Sequence, residues 1–159
     1  MKFFKSVLFL LVTFIAGVFI TLPVVSATDD EEQTVLQYND FNYIINDDDN
    51  TITITKYLGE EISPIIPNEI DGKQVTVIGQ SAFERNLKIK TVTIPTGVIV
   101  ISSQAFIFCE NLEEISLSET VNEIGSNAFL ACTNLKSITI PENVKTIDYG
   151  TFSYCTNLK

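Results

Sequence analysis

Apolar positions along this chain recur at a long, fixed interval. Phe83, Phe106, Phe129 and Phe152 lie 23 residues apart. Other columns keep step with them: Ala82, Ala105 and Ala128; Cys109, Cys132 and Cys155; Ile89, Leu112, Leu135 and Leu158; Val92, Ile115 and Ile138; Ile78, Ile101, Ile124 and Ile147. Periods of 20 to 50 residues mark solenoids and arrays. In a stack, one position of every turn points the same way, so inward positions form apolar ladders. A single turn cannot close a core alone, and its neighbours bury its apolar side. The fixed columns are residue types that are most often buried, whereas the columns between them vary and are polar.

Each repeat predicts the same local elements. "LKSITI" (135–140) alternates apolar and polar residues and is rich in β-branched types, which predicts a short strand. Pro95 and Pro141 end that strand. "NVKTID" (143–148) predicts a second short extended piece, followed by a turn at the position of Gly79 and Gly125. "SNAFLAC" (126–132) lacks β-branched residues and predicts one helical turn. Strands that recur once per repeat are expected to pair in parallel. Ahead of the repeats, "FNYII", "NDDDN" and "TITITKY" read as strand, turn and strand. A hairpin there would cover the open edge of the first repeat, which solenoids need.

The pattern A-F-x-x-C-x-x-L-x-x-I-x-I-P-x-x-V-x-x-I-G closely resembles the leucine-rich repeats of the BspA-type family. The resemblance runs over about residues 41–159. Residues 66–79 are similar to the opening repeat of such proteins, lengthened by a turn at Asp71-Gly72. Departures are local: Ser118 replaces the proline, Ser102 and Asp148 the glycine, and Asn86 the cysteine. The resemblance implies an α/β, strand-dominated leucine-rich-repeat solenoid. Its parts are short parallel strands, single helical turns, 23-residue repeats and an N-terminal β-hairpin cap. It also implies a secreted or surface-attached protein that acts by binding proteins or by adhesion.

The first residues bear on location. "MKFFK" supplies two lysines, an uncharged apolar stretch follows, and the small residues of "VSA" end at Ala27. This is a signal-peptide layout, with cleavage expected after Ala27. The apolar stretch is also long enough for an uncleaved anchor, but Pro23 and the small Ser26-Ala27 favour cleavage. Residues 1–27 are thus read as signal peptide, 28–33 as an acidic leader, 34–63 as the β cap and 64–159 as repeats. Lys159 falls in the column of Lys90, Glu113 and Lys136, one residue into a strand. The expected full protein is therefore longer, with further repeats. Loss of Lys2 and Lys5 takes the net charge from −10 to −12. Nucleic-acid binding needs clustered Lys and Arg, so nucleic acid is not an expected partner. A membrane is expected only at the signal segment.

Enzyme chemistry finds little to work with. The chain has no histidine, which removes Ser-His-Asp, Cys-His and histidine-metal sites. No cofactor is expected. Glu113 and Glu114 are adjacent, but neighbours on a strand face opposite ways. Asn46, Asp48 and Asn50 are spaced like the start of a calcium loop, yet Thr51 and Tyr57 stand where its glycine and glutamate belong. A tight polar turn is the simpler reading. The three cysteines sit one rung apart, about 4.8 Å along the ladder. That spacing is compatible with a disulfide. Side chains pointing in parallel into the core are expected to remain free thiols.

The polar strand columns are the candidate ligand surface: Lys90, Glu113 and Lys136; Thr91, Glu114 and Ser137; Thr93, Ser116 and Thr139. The first alternates in sign, so attraction between rungs is its structural explanation. The others are explained by β propensity or by a partner's landing surface, since solenoids bind on their strand face. Ile99, Val100, Ile107 and Phe108 interrupt the polar pattern as an apolar contact patch. The expected function is a surface module that recognises protein or glycan. The alternative is a spacer that projects another domain.

Overall fold

The computed structural model describes residues 33–48 and 50–159. The signal-peptide reading and most of the acidic leader lie outside these residues.

The described chain opens with an antiparallel sheet of β1 (Leu36–Tyr38), β2 (Phe41–Ile45) and β3 (Thr51–Tyr57). Alternation sets its faces: Phe41, Tyr43, Ile52, Ile54 and Tyr57 are buried while their neighbours are less so. The β2–β3 turn is held by its own side chains. Asp48 accepts from the amides of Asn50 and Thr51, each at 2.9 Å, and from the Thr51 hydroxyl at 2.7 Å. Asn46 Oδ1 accepts from the Thr53 hydroxyl at 2.7 Å. Two of the residues with calcium-loop spacing are thereby committed to the turn.

Next come β4 (Glu69–Ile70) and β5 (Lys73–Ile78), a hairpin turned by Asp71 and Gly72. Both turn residues have positive φ, 50° and 76°, as a two-residue type I′ turn requires. β5 pairs in parallel with β3, and then with β7 (Val100–Ile101), which pairs with β9 (Glu123–Ile124). A second parallel sheet joins β6 (Thr91–Thr93) to β8 (Glu114–Ser116). Partners in these repeat strands lie 23 residues apart, as in Thr91 with Glu114 and Ile101 with Ile124. The strand expected over 135–140 is reduced to one bridge, Ser137 with Glu114, and none forms over 143–148.

The expected helical turns are not there. Among the described residues the fold is strand-rich without any helix. In "SAFERN" the amides of Ala82, Glu84 and Asn86 bond back three residues, to Gly79, Ser81 and Phe83. The intervening amides, Phe83 and Arg85, bond outward to Ala105 and Ile107 of the next rung. A helical turn would hold successive residues at one right-handed φ/ψ, with no such alternation of inward and outward amides. The alternation is made by left-handed residues: Ser81, Gln104, Asn127 and Gly150 in one column; Arg85, Phe108, Ala131 and Tyr154 in another. Absence of β-branched residues suits this conformation as well as it suits a helix, so the sequence cue was ambiguous.

The core is a set of ladders. The Phe83 and Phe106 rings stack at 4.7 Å, Phe106 and Phe129 at 5.4 Å, and Phe129 and Phe152 at 5.6 Å, with interplanar angles falling from 16° to 1°. Tyr57 of β3 stacks on Phe83 at 5.3 Å, which carries the ladder into the N-terminal sheet. The cysteines are free. Each thiol donates to the Phe carbonyl one rung back: Cys109 to Phe83, Cys132 to Phe106 and Cys155 to Phe129, at 3.0–3.2 Å. In the first repeat Asn86 uses its side chain otherwise, accepting from the amides of Lys88 and Ile89. Gly125 is required by close approach, since a Cβ there would lie 2.6 Å from the Ser103 amide nitrogen.

Candidate binding surface

The outer side of the β6–β8 sheet carries the polar columns. Val92 and Ile115 point inward, so Thr91, Thr93, Glu114 and Ser116 point away from the core. Ser137 and Thr139 continue the two columns and are exposed. Lys90, Glu113 and Lys136 form the third column. Glu113 lies between the lysines, 2.6 Å from Lys136 Nζ and 3.4 Å from Lys90 Nζ. The hydrogen bond from Lys136, and then that from Lys90, holds the Glu113 carboxyl below its ordinary pKa; Glu113 in turn raises Lys136. These groups are solvent-exposed, so the ladder adds little stability. Glu113 and Glu114 do not converge: the first is taken up by lysines and the second is exposed.

The four apolar residues divide between two elements. Ile99 and Val100 lie at β7, where Ile99 is 40% exposed. Ile107 and Phe108 lie in the left-handed turn. There Ile107 is buried, and Phe108 sits half-buried under Arg85, whose guanidinium carbon is 5.3 Å from the ring centre.

Two features escaped sequence reasoning. One is an asparagine column, Asn111, Asn134 and Asn157, whose side chains bond from rung to rung at 3.3–3.4 Å. Asn111 bonds back to the Leu87 carbonyl at 2.7 Å. Its 23-residue spacing was present to be seen. The other is an additional rung of the strand face. "ISPIIP" (62–67) aligns with "KTVTIP" (90–95): Ile65 bridges Thr93 in parallel, and the Ser63 and Thr91 hydroxyls are hydrogen-bonded. Its offset is 28 residues, because the β4–β5 hairpin lengthens this repeat, so the rung stands outside the 23-residue period. On this leading rung Ile65 is 89% exposed and Ile62 58%.

Two shallow clefts flank the face. One, of about 500 Å³, lies past the strand ends and includes Pro95, Ser118 and Thr120. Here Ser118 compensates for the missing proline. Its hydroxyl is 3.0 Å from the Thr120 hydroxyl, which donates to the Val98 carbonyl at 2.7 Å and accepts from the Gly97 amide. The other, of about 620 Å³, lies between the β1–β2 turn and the leading rung. Burial pushes the Cys109 thiol up to about 12 and raises Cys132 and Cys155, so thiolate is scarce at neutral pH. No cluster of three potential metal ligands occurs among the described residues.

Stacked parallel strands, a repeating L-x-x-I-x-I core and a polar strand face define a leucine-rich-repeat protein. The chain belongs to the BspA type leucine rich repeat family, whose profile matches residues 38–159 in six copies. Similar solved structures agree. A Treponema pallidum leucine rich repeat protein is 28% identical, with a TM-score of 0.71 over 79% of this chain and 69% of its own. A leucine-rich repeat protein from Bacteroides capillosus is 35% identical, with a TM-score of 0.68 over 76% of this chain and 91% of its own. A leucine rich cell surface protein from Faecalibacterium prausnitzii is 30% identical, with a TM-score of 0.65. That alignment covers 80% of this chain and 42% of the relative. No curated protein matches the sequence significantly.

Proposed function

We propose that this chain is a secreted or cell-surface binding module, without catalytic activity, that engages a protein or glycan through its polar strand face. The observation that carries this is the exposed Thr93–Ser116–Thr139 column beside Glu114 and Ser137, held in a parallel register. Regular spacing presents hydroxyls and a carboxylate at fixed intervals, which suits a repetitive or extended ligand. The naming of a similar protein as a cell surface protein supports the location. The division into signal segment (1–27), leader (28–33), cap (34–63) and repeats (64–159) belongs to the same proposal. So does a membrane role limited to the signal segment.

A spacer is the second reading. It is favoured by the lysine–glutamate and asparagine columns, whose polar groups are satisfied from rung to rung. One experiment separates the two. The variants Thr93→Arg, Ser116→Arg and Thr139→Arg place bulk on the face without touching the core. Binding to a glycan array and to host-cell extracellular proteins is compared with the parent. Loss of a specific signal at unchanged melting temperature supports the binding module. Absence of any specific signal in the parent favours the spacer.

A further inference from the structure

The cleft between the β1–β2 turn and the leading rung has the features of a strand-acceptor groove. Its lining includes Asn39, Asp40, Tyr57, Glu61, Ser63 and Ile65. Ile65 bridges Thr93 on one side, and no strand is bridged to it on the other among the described residues. Parallel pairing alternates the direction of successive backbone groups. Ile94 N donates to Ser116 O one rung on, so the amide and carbonyl of Thr93 face back toward the leading strand. By the same register those of Ile65 face outward, into the cleft. The Ile65 side chain, 89% exposed, stands beside this edge as an apolar contact that the later rungs lack, since Thr93, Ser116 and Thr139 occupy its column.

The groove has a sign. Glu60, Glu61 and Asp40 all act on the Tyr57 hydroxyl, whose pKa is raised, by burial first and by these carboxylates as well. Glu60 is paired with Lys88. Asp40 and Glu61 have no ion-pair partner among the described residues. We infer that the groove accepts an extended, lysine- or arginine-bearing polypeptide segment of another protein, added as a strand along Ser63–Ile65 with its basic side chains at Asp40 and Glu61. Main-chain bonds supply affinity in this mode, and alternate side chains supply selectivity. The chain's own preceding residues, "TDDEE" (28–32), carry the same sign as the groove and are a poor occupant. The groove uses the open backbone edge of the leading rung and not the outward hydroxyls of the later rungs, so the inference does not rest on the reading proposed above.

The test uses a labelled decapeptide of alternating lysine and valine, with fluorescence anisotropy at low and physiological salt. Saturable binding is expected. Methylating the peptide's alternate backbone nitrogens should weaken it by about tenfold or more, as should Ile65→Pro, since each removes ladder hydrogen bonds. Asp40→Asn combined with Glu61→Gln should weaken it similarly and flatten the salt dependence, while Glu114→Gln should leave it unchanged. The methylated peptide keeps the test decisive if Ile65→Pro folds poorly. Equal binding of a glutamate–valine peptide, indifference to methylation, or no binding would overturn the inference. So would a parent protein that dimerises in sedimentation and loses the dimer on Ile65→Pro, because a second copy would then fill the groove.

Discussion

The Cys132 thiol donates to the carbonyl of Phe106 at 3.2 Å, in the preceding rung. The cysteine column is therefore a line of buried donors as well as of small apolar groups. Its chemistry follows. Native Cys109 and Cys132 should resist alkylation at pH 8 for hours, with Cys155, only half-buried, modified first. Mass spectrometry of iodoacetamide adducts before and after urea checks the order. Prompt native modification of Cys132 would contradict the packing.

The same burial makes stability depend on pH at the alkaline end. The Cys109 pKa rises from 9.0 to about 12 on folding, so the folded state holds its proton more tightly. The contribution is intact below pH 9 and is lost as pH rises from 9 toward 12. Between pH 8 and 10.5 the parent should lose more urea stability than Cys109→Ala, relative to each protein's own value at pH 8. Equal losses would mean that the thiol does not take part.

Phe129 lies between Phe106 and Phe152 with near-parallel rings. Phe129→Ala should cost about 3–5 kcal/mol through lost burial and the cavity left behind. Phe152→Ala should cost clearly less, because Phe152 is only half-buried. Chemical denaturation reads both, and a loss under about 1 kcal/mol at Phe129 is incompatible with the ladder.

Gln104 has a φ of 62°, in a column where the fourth residue is already Gly150. Gln104→Gly should be neutral or stabilising, by up to about 1 kcal/mol, because glycine enters this region freely. In a helical turn the same change would cost about 1 kcal/mol. The sign of the shift in melting temperature discriminates between the two conformations.

Secretion is checked by protein sequencing. The exported chain is expected to begin at Thr28, after Ala27. A mature start at Met1 would instead indicate a retained anchor.

The repeat was legible in the sequence because inward positions must be apolar in every turn. Phe83 to Phe152, the Ile and Leu columns and the parallel pairing follow from that requirement alone. The turn conformation was not legible. Ser81, Gln104 and Asn127 share a left-handed backbone with different side chains, and Arg85, Phe108 and Ala131 do the same, so no residue type marks the columns. Ile65 was hidden by spacing, as its offset of 28 residues breaks the count. The polar columns were legible as exposed positions. Their ligand was not, because outward residues answer to a partner that leaves no periodic trace.

Turn amides donate forward, as Phe83 N does to Ala105 O, while amides of the strand face alternate, Glu113 N donating back to Lys90 O and Ile94 N forward to Ser116 O. Every interior rung thus gives and receives in both directions through the same atoms. Duplicating a whole 23-residue unit would reproduce each bond, whereas gaining or losing one residue inside a rung would set donors against donors. Length in such a molecule can change in steps of one repeat by gene duplication with almost no structural consequence. Extra residues are absorbed outside the repeated rungs, at the Asp71–Gly72 hairpin and at the register shift between Ile52 and Thr53 where β3 meets β5.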